Sequence, residues 1–410
     1  MKILIINHYS GNKGDRAVLY FLITALHDMG YTEVTVSTSN RKLYAQVNDV
    51  YKYDVKYIPW GKNEEFNASS KFQYYWSRIR WRFYRKIAFP IVNWLCCNDI
   101  NIVPPFFCNK EFRRHIKKAE IVISTGGHHL TTRFYPNGNC AMIYDLILTK
   151  LFKKRYIIWS QTFGPFNYTS KICQCAMKKI IDGASTVFVR DLHSKIDLHE
   201  IGIDYTKMID SYESVMGLAD VVTPYVNPSR REKIIGMTVY NAERRSPEEH
   251  AKYVREVSAI GDFCCELGYH IRFFSHEMRG AVIDDRPLIK EIVRSMKNGN
   301  VSIEEDDYNT VDHLRAVAKC CMFIGHKTHS VVFGLATGTP MLALAYHPKT
   351  VDFMKMYDLS ENCLLENDLS KVPLVLSRML DNLDSIGLKQ YNTSVAIRKK
   401  LQSDLAMALK

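Results

Sequence analysis

At 410 residues, with 47% hydrophobic and 24% charged residues, the chain has ordinary globular composition and room for about two or three domains. That excludes a disordered chain, a collagen-like repeat and a small disulfide scaffold. Lys and Arg number 55 against 43 Asp and Glu, a formal charge of +12 that favours anionic partners (nucleic acid, acidic lipid or phosphorylated substrates) without choosing among them.

The first residues read as a strand and not as a signal peptide: 3–6 is a short apolar run, and no cleavage-site pattern follows it. Apolar, β-branched runs at 34–37, 121–124, 156–160 and 186–189 predict further strands, and the pattern over 17–29 predicts a helix. Such alternation implies parallel sheets covered on both faces. It pauses at Val222-Thr-Pro-Tyr-Val-Asn-Pro228. It resumes with strands at 234–239, 270–274, 301–304, 322–324 and 341–345, separated by helices at about 247–267, 287–296, 310–319 and 328–337. The uncharged run 330–348 is broken by Gly334, Gly338 and Pro340, so it reads as helix, turn and strand rather than a membrane span. The expected architecture is α/β. Two Rossmann-like domains, 1–222 and 231–371, are joined by a linker at 223–230, and helices at 372–410 pack back on the body. Ligands of such sheets sit beyond the carboxyl ends of the strands, so the site is expected in a cleft faced by both domains.

Eleven cysteines, with no export signal, point to a reducing compartment. Cys96-Cys97, Cys264-Cys265, Cys320-Cys321 and Cys173-Gln174-Cys175 lack the spacing of a zinc site, so buried thiols are expected.

Residues 71–94 depart from the regular pattern. Arg78, Arg80, Arg82, Arg85 and Lys86 are interleaved there with Phe72, Tyr74, Trp76, Trp81 and other aromatics. The mixture suits an anionic membrane surface, where cations neutralise headgroups and rings sit at the interface. It equally suits a helix covering the sheet with its cations in water, and less well the stacking of single-stranded nucleic acid.

Residues able to carry chemistry gather after the strands. The turn from Asn7 to Asp15 contains Gly11 and Gly14, which allow close approach of an anion to the N–H groups of the next helix; it is neither GxGxxG nor a P-loop. Asp15 is either the cap of helix 17–29 or a base. Gly126-Gly127-His128-His129 follows strand 121–124, Gln161 and Gly164-Pro165 close strand 156–160, and Arg190-Asp191 with Ser194 follows 186–189. For Arg190 and Asp191 the plain alternative is a local ion pair, with Asp191 capping a helix. From His313 to Val351 there is no Asp or Glu, whereas Lys327, Thr328, His329 and Ser330 follow strand 322–324, and His347 and Lys349 follow 341–345. Such a rim at the N-terminus of helix 328–337 suits a donor with more than one negative charge. It also lacks the carboxylate that a nucleotide-sugar enzyme would offer to ribose hydroxyls.

In order and position these motifs resemble the polysaccharide pyruvyl transferase family. The resemblance rests on Asn12 to Asp15, Gly126-Gly127, Gln161 with Gly164-Pro165, Arg190-Asp191 with Ser194, Lys327-Thr328-His329, Gly338-x-Pro340 and Tyr346-x-x-Lys349. It covers residues 3–350. It implies two domains of the GT-B glycosyltransferase type, the second on the phosphoenolpyruvate side and the first on the acceptor side. It also implies that Lys327 contacts the donor and that His329 is the catalytic acid. Lys327 stands where the family usually has Arg, which keeps the charge and loses bidentate recognition. His128 takes the third place of a usual Gly-Gly-Gly turn.

The implied reaction moves the enolpyruvyl group of phosphoenolpyruvate onto two hydroxyls of a galactose- or glucose-type hexose in a cell-surface polysaccharide precursor, releasing phosphate. The expected catalytic residues are His329 and Asp15. The expected substrate-binding residues are Lys327, Arg190, Lys349, Thr328, Ser330, Gly14, Gly126, Gly127, His128 and Gln161. No redox step or phosphoryl transfer to protein is involved, so no metal or organic cofactor is called for. The expected partners are phosphoenolpyruvate, an acceptor carried on a polyprenyl diphosphate and an anionic membrane surface, not nucleic acid. The expected location is cytoplasmic, peripheral at the inner face of the membrane. A GT-B glycosyltransferase with a nucleotide-sugar donor is the alternative enzyme, and a non-catalytic glycan or nucleic-acid binder is the third class.

Overall fold

The computed structural model describes residues 1–8, 12–39, 49–50, 52–62, 71–133, 141–242, 245–278 and 284–410. Gly11 of the first turn lies outside them, as do the side chains of residues 71–74. The chain divides into two compact units: Met1–Ser10, Val18–Ser214 and Leu401–Lys410 in one, Gly11–Ala17 and Val215–Lys400 in the other.

The first unit is built on strands β1 (Ile3–His8), β2 (Val34–Thr38), β3 (Val55–Pro59), β4 (Ile121–Ser124), β5 (Gly127–Leu130), β6 (Tyr156–Phe163), β7 (Thr186–Val189) and β8 (Met208–Asp210). They run parallel in the order β3-β2-β1-β4-β6-β7-β8, with β5 beside β6. β1, β4 and β6 are buried along their whole length. Helices cover both of their faces, which is why their sequences are continuous apolar runs instead of alternating ones. Two features differ from expectation. The Gly126-Gly127 turn leads at once into β5, so His128 and His129 are strand residues. β6 continues past residue 160 to Phe163, bending at Ser160 (φ 43°) where its register against β7 shifts.

The second unit holds β9 (Glu232–Met237), β10 (His270–Phe274), β11 (Val301–Glu304), β12 (Cys320–Gly325), β13 (Met341–Ala345) and β14 (Cys363–Leu365). Their parallel order is β11-β10-β9-β12-β13-β14. This is the doubly wound order, whose winding reverses between β9 and β12 and opens a crevice beyond their carboxyl ends. Helix Pro247–Glu266 behind β9 starts at a capping box: Ser246 Oγ accepts the Glu249 N–H at 3.2 Å and the Glu249 carboxylate accepts the Ser246 N–H at 2.8 Å.

The division between units falls after Ser214, ahead of the expected linker at 223–230. The reason is apolar: Val215, Met216, Leu218, Ala219 and Val222 are buried. Arg398 of helix Leu383–Leu409 ion-pairs with Asp220 and holds this segment in the second unit. The same helix packs back through Gln390, which accepts the Met341 N–H at 3.0 Å and donates to the Thr339 carbonyl at 2.9 Å. Gly338 (φ 62°) lies against Gly387 there, and a side chain on either would meet the other's backbone. Among the described residues no disulfide forms, and no helix is long and apolar enough to cross a membrane.

One buried carboxyl in the first unit has a measurable consequence. Asp145, on helix Ala141–Leu151, accepts the Gly61 N–H at 3.0 Å and the Ser37 hydroxyl at 3.4 Å, and burial raises its pKa to about 7. Its folded-state pKa lies above the unfolded value, so the stability it contributes is present at low pH and is lost as pH rises from about 4 through 7. Asp145→Asn should therefore raise the thermal midpoint relative to wild type at pH 8, with the gain shrinking towards pH 5. Circular dichroism melts read this difference, and a pH-independent one would contradict the assignment.

Candidate active site

In the second unit the crevice is built from the ends of β9, β10 and β12 and from the start of helix Lys13–Asp28. Thr238, just past β9, stitches the switch point: its N–H donates to the Ile324 carbonyl (3.1 Å), and its hydroxyl accepts the His326 N–H (2.9 Å) and pairs with Ser330 Oγ (2.8 Å). Ser330 Oγ in turn accepts the Lys327 N–H at 3.2 Å. These bonds fix Lys327-Thr328-His329-Ser330 as the first turn of helix Thr328–Ala336, whose leading N–H groups have no partner in the helical ladder.

The buried Lys327 ammonium donates to Glu277 at 2.5 Å and to Asp285 at 2.7 Å. Asp285 is buried too, and its other oxygen accepts the N–H groups of His276 and Glu277, each at 3.0 Å. Burial lowers the pKa of Lys327, but the two carboxylates outweigh it and hold the group charged. The expectation of a carboxylate-free rim is thus corrected. Residues 313–351 contain no acid, but the loop after β10 supplies two, so the missing ribose partner no longer argues against a nucleotide sugar.

The helix predicted at 17–29 begins at Lys13. Asn12 Oδ1 accepts the Gly14 N–H at 2.8 Å, so Asn12 occupies the capping place and half-buried Asp15 lies inside the first turn. Gly14 is required to be glycine, because a Cβ there would run into the His329 imidazole. His329 is half-buried, and among the described residues its ring makes no hydrogen bond. Lys13 is buried and donates to the Ser275 carbonyl at 2.8 Å, the Asp306 carbonyl at 3.4 Å and Met278 Sδ at 3.6 Å. No carboxylate among the described residues lies within ion-pair distance of it, and burial lowers its pKa to about 8. Arg16 is spent on Asp307 (2.9 Å) and the Tyr308 carbonyl (2.9 Å).

Three further imidazoles surround this centre. His276 and His313 are buried edge-to-face at 4.8 Å, and burial holds both well below the usual histidine range. His326 shares a hydrogen bond with the Tyr253 hydroxyl at 2.8 Å, and burial lowers its pKa to about 3. All three are neutral. Beside them Tyr240 and Tyr346 stack at 3.9 Å. Thr328 and Thr350 pair their hydroxyls at 3.2 Å, and His347 Nδ1 accepts the N–H of half-buried Lys349 at 3.2 Å. This draws the β13 turn to the same rim.

In the first unit Arg190 is buried and engaged on every nitrogen: Nε donates to Thr162 Oγ1 at 2.8 Å, one Nη to the Gly127 carbonyl at 2.9 Å and the other to Glu213. Asp191 caps helix Leu192–Glu200 by accepting the Ser194 N–H at 2.8 Å. Gly127 pairs with Gln161, which is buried in β6, and His128 Nε2 donates to the Gly164 carbonyl at 3.1 Å. A Cβ on Gly126 would meet the Ser160 carbonyl.

The predicted residues therefore fall into two groups. Gly14, Asp15, Lys327, Thr328, His329, Ser330 and Lys349 belong to the second unit; Gly126, Gly127, His128, Gln161 and Arg190 belong to the first. Sequence reasoning passed over Lys13, Glu277, Asp285 and Glu213. Lys13 stood inside a motif already singled out, and Ser275-His276-Glu277 follows a strand as the other motifs do.

Two parallel doubly wound sheets, with polar clusters beyond their strand ends, define a two-domain α/β enzyme of Rossmann type. Solved structures agree on the fold. UDP-GlcNAc 2-epimerase of Neisseria meningitidis, bound to UDP-GlcNAc, matches with a TM-score of 0.59 and 12% identity over 100% of this chain and 99% of that one. HepE of Anabaena, in complex with UDP and glucose, matches with a TM-score of 0.55 and 10% identity over 100% and 99%. These likenesses show a GT-B-like fold. The family model for polysaccharide pyruvyl transferase matches residues 12–348, and the chain belongs to that family as a pyruvyltransferase of polysaccharide biosynthesis. Amylovoran biosynthesis protein AmsJ of Erwinia amylovora is 22% identical over 409 residues, 94% of each chain.

Removing one partner of a buried ion pair leaves the other uncompensated, at a cost of about 3–5 kcal/mol. Lys327→Met should lose about that much in urea unfolding, and adding Asp285→Asn should restore more than half of it. If the double variant is as unstable as the single one, the pair does not hold the loop as described.

Proposed function

We propose that the enzyme takes the enolpyruvyl group from phosphoenolpyruvate and closes it as a ketal on two hydroxyls of a hexose in a polysaccharide precursor carried on a polyprenyl diphosphate. The observation that carries the proposal is the His329 imidazole lying over Gly14 at the head of helix Thr328–Ala336, with the preceding Lys13 buried and, among the described residues, in no ion pair. The donor's phosphate and carboxylate are assigned to the helix N–H groups, Lys13, Lys349 and the third N–H of Lys327. Two anionic groups next to an imidazole favour its protonated form.

His329 then gives its proton to the methylene carbon as an acceptor hydroxyl oxygen bonds to the enol carbon, which passes through an oxocarbenium-like state. Asp15 takes the hydroxyl proton. The second hydroxyl then bonds to the same carbon and displaces phosphate, which leaves with the electron pair of its C–O bond. The second hydroxyl's proton returns to the His329 imidazole left neutral by the first step, and the ring closes. Gly126, Gly127, His128 and Gln161 are assigned to the acceptor, and Arg190 to holding their strand ends in place. A lipid-linked acceptor puts the reaction at the cytoplasmic face of the membrane.

A general acid is worth about 10²- to 10⁴-fold, so His329→Ala should cut turnover by that factor with an unchanged melting temperature. Retained turnover would remove His329 from the role. Phosphoenolpyruvate should raise the melting temperature where nucleotide sugars do not; the reverse pattern would favour the glycosyltransferase reading. Mass spectrometry of the lipid-linked glycan should show the gain of one pyruvate with loss of water.

Lys13 adds a pH signature. Below its pKa of about 8 the ammonium is charged and ready for an anion. Above it, binding must first take up a proton, and the Kd for phosphoenolpyruvate should rise about tenfold per pH unit. Lys13→Arg should flatten that rise in calorimetric titrations, and a wild-type Kd constant from pH 7 to 9.5 would exclude Lys13 as a donor contact.

A further inference from the structure

Residues 71–97 are helical throughout: helix Lys71–Phe83, a single π turn at Tyr84–Ala88, and helix Phe89–Cys97. Tyr84, Ala88, Val92 and Cys96 step by four residues into the core of the first unit. One residue round, Tyr75 (65% exposed), Ile79, Ile87 and Ile91 lie on a four-residue repeat whose remaining member, Phe83, packs on the core, and Trp76 (50%) and Trp94 (50%) are exposed near its two ends. Each four-residue step overshoots an α turn of about 3.6 residues, and the wider π turn absorbs the drift. The outer stripe thus stays on one side. Phe106 (81% exposed) extends it, since its carbonyl accepts the Tyr84 hydroxyl at 3.5 Å and buried Phe107 packs on Phe83 with ring centroids 5.9 Å apart.

Exposed apolar residues scattered singly are ordinary, but several of them gathered along one helical segment mark a contact surface. Charge identifies the partner. From Phe66 to Asn98 there is no Asp or Glu, and Arg78, Arg80, Arg82, Arg85 and Lys86 are exposed around the stripe. Arg85 lies over the Trp81 ring at 5.1 Å, leaving an aromatic-cationic surface. A second copy docking on this face in two-fold fashion would bring like charges together. An anionic bilayer offers headgroup charge to the cations and an interfacial layer to the rings, without any spanning segment.

We propose that this face docks flat on an anionic lipid bilayer. The proposal does not depend on the reaction assigned above, because docking needs no substrate. The test is co-sedimentation of the full chain, without substrates, with phosphatidylcholine vesicles and with vesicles also containing phosphatidylglycerol. The expected result is binding to the second kind alone, weakened by high salt and falling about fivefold for each cation removed in the series Arg78→Gln, Arg80→Gln, Arg82→Gln. Trp76→Ala with Trp94→Ala should weaken binding while leaving the thermal midpoint unchanged. Absence of binding, equal binding to both vesicles, or self-association in sedimentation velocity abolished by the same substitutions would overturn it. The wild-type comparison of the two vesicles stands even if a variant folds poorly.

Discussion

The buried ammonium of Lys327 is the charge around which the second unit's strand ends are arranged. Taking an ammonium out of water costs several kcal/mol unless carboxylates and good hydrogen bonds replace the solvent. Asp285 and Glu277 do so, and Asp285 is itself satisfied by two backbone N–H groups from the end of β10. The pair therefore locks the β10 loop to the β12 turn. With that turn fixed, Ser330 and Thr238 set the start of helix Thr328–Ala336, and His329 falls where only a glycine at position 14 leaves room for it.

Formal charges around this frame cancel: Lys13, Arg16 and Lys327 stand against Glu277, Asp285 and Asp307. The buried imidazoles of His276, His313 and His326 add nothing, since desolvation keeps them neutral. On the proposed chemistry a doubly acidic donor is then held by the N–H groups of the helix start, by Lys13, Lys349 and the third N–H of Lys327, and by His329 once protonated. Binding and protonation of the acid are linked, because the donor's own charge favours the imidazolium. Of the imidazoles around the site, half-buried His329 stands at the head of helix Thr328–Ala336, whereas His276, His313 and His326 are buried.

How much was legible in the sequence follows from how local each determinant is. β1, β4 and β6 are short runs buried on both sides, so composition alone marks them. β8 and β14 are three residues long, and β3 mixes polar with apolar positions, which leaves no periodicity to read. Asp191 capping its helix is a contact over three residues and was legible; the partner of Arg190 is Glu213, 23 residues on, and was not. The acid-free stretch 313–351 misled for the same reason. Charge counted along a window omits what a neighbouring strand delivers, and in a doubly wound sheet the neighbour of β12 is β9, then β10.

The site frame is balanced, so the anionic donor does not account for the formal +12. Between Phe66 and Asn98 the sequence has six cations, Lys71, Arg78, Arg80, Arg82, Arg85 and Lys86, and no Asp or Glu. Five of them, Arg78, Arg80, Arg82, Arg85 and Lys86, are exposed on a helical segment that also carries exposed apolar residues. A charge excess spread over a surface serves solubility; concentrated beside tryptophans on one helical segment it supplies the attraction on which the proposed docking rests. On the proposed docking and a lipid-linked acceptor, sharing the membrane raises the effective concentration of enzyme and acceptor without any added contact to the sugar. On these two proposals, a site frame with little net charge and a docking face with much of it divide the work of holding a small anion and finding a large one.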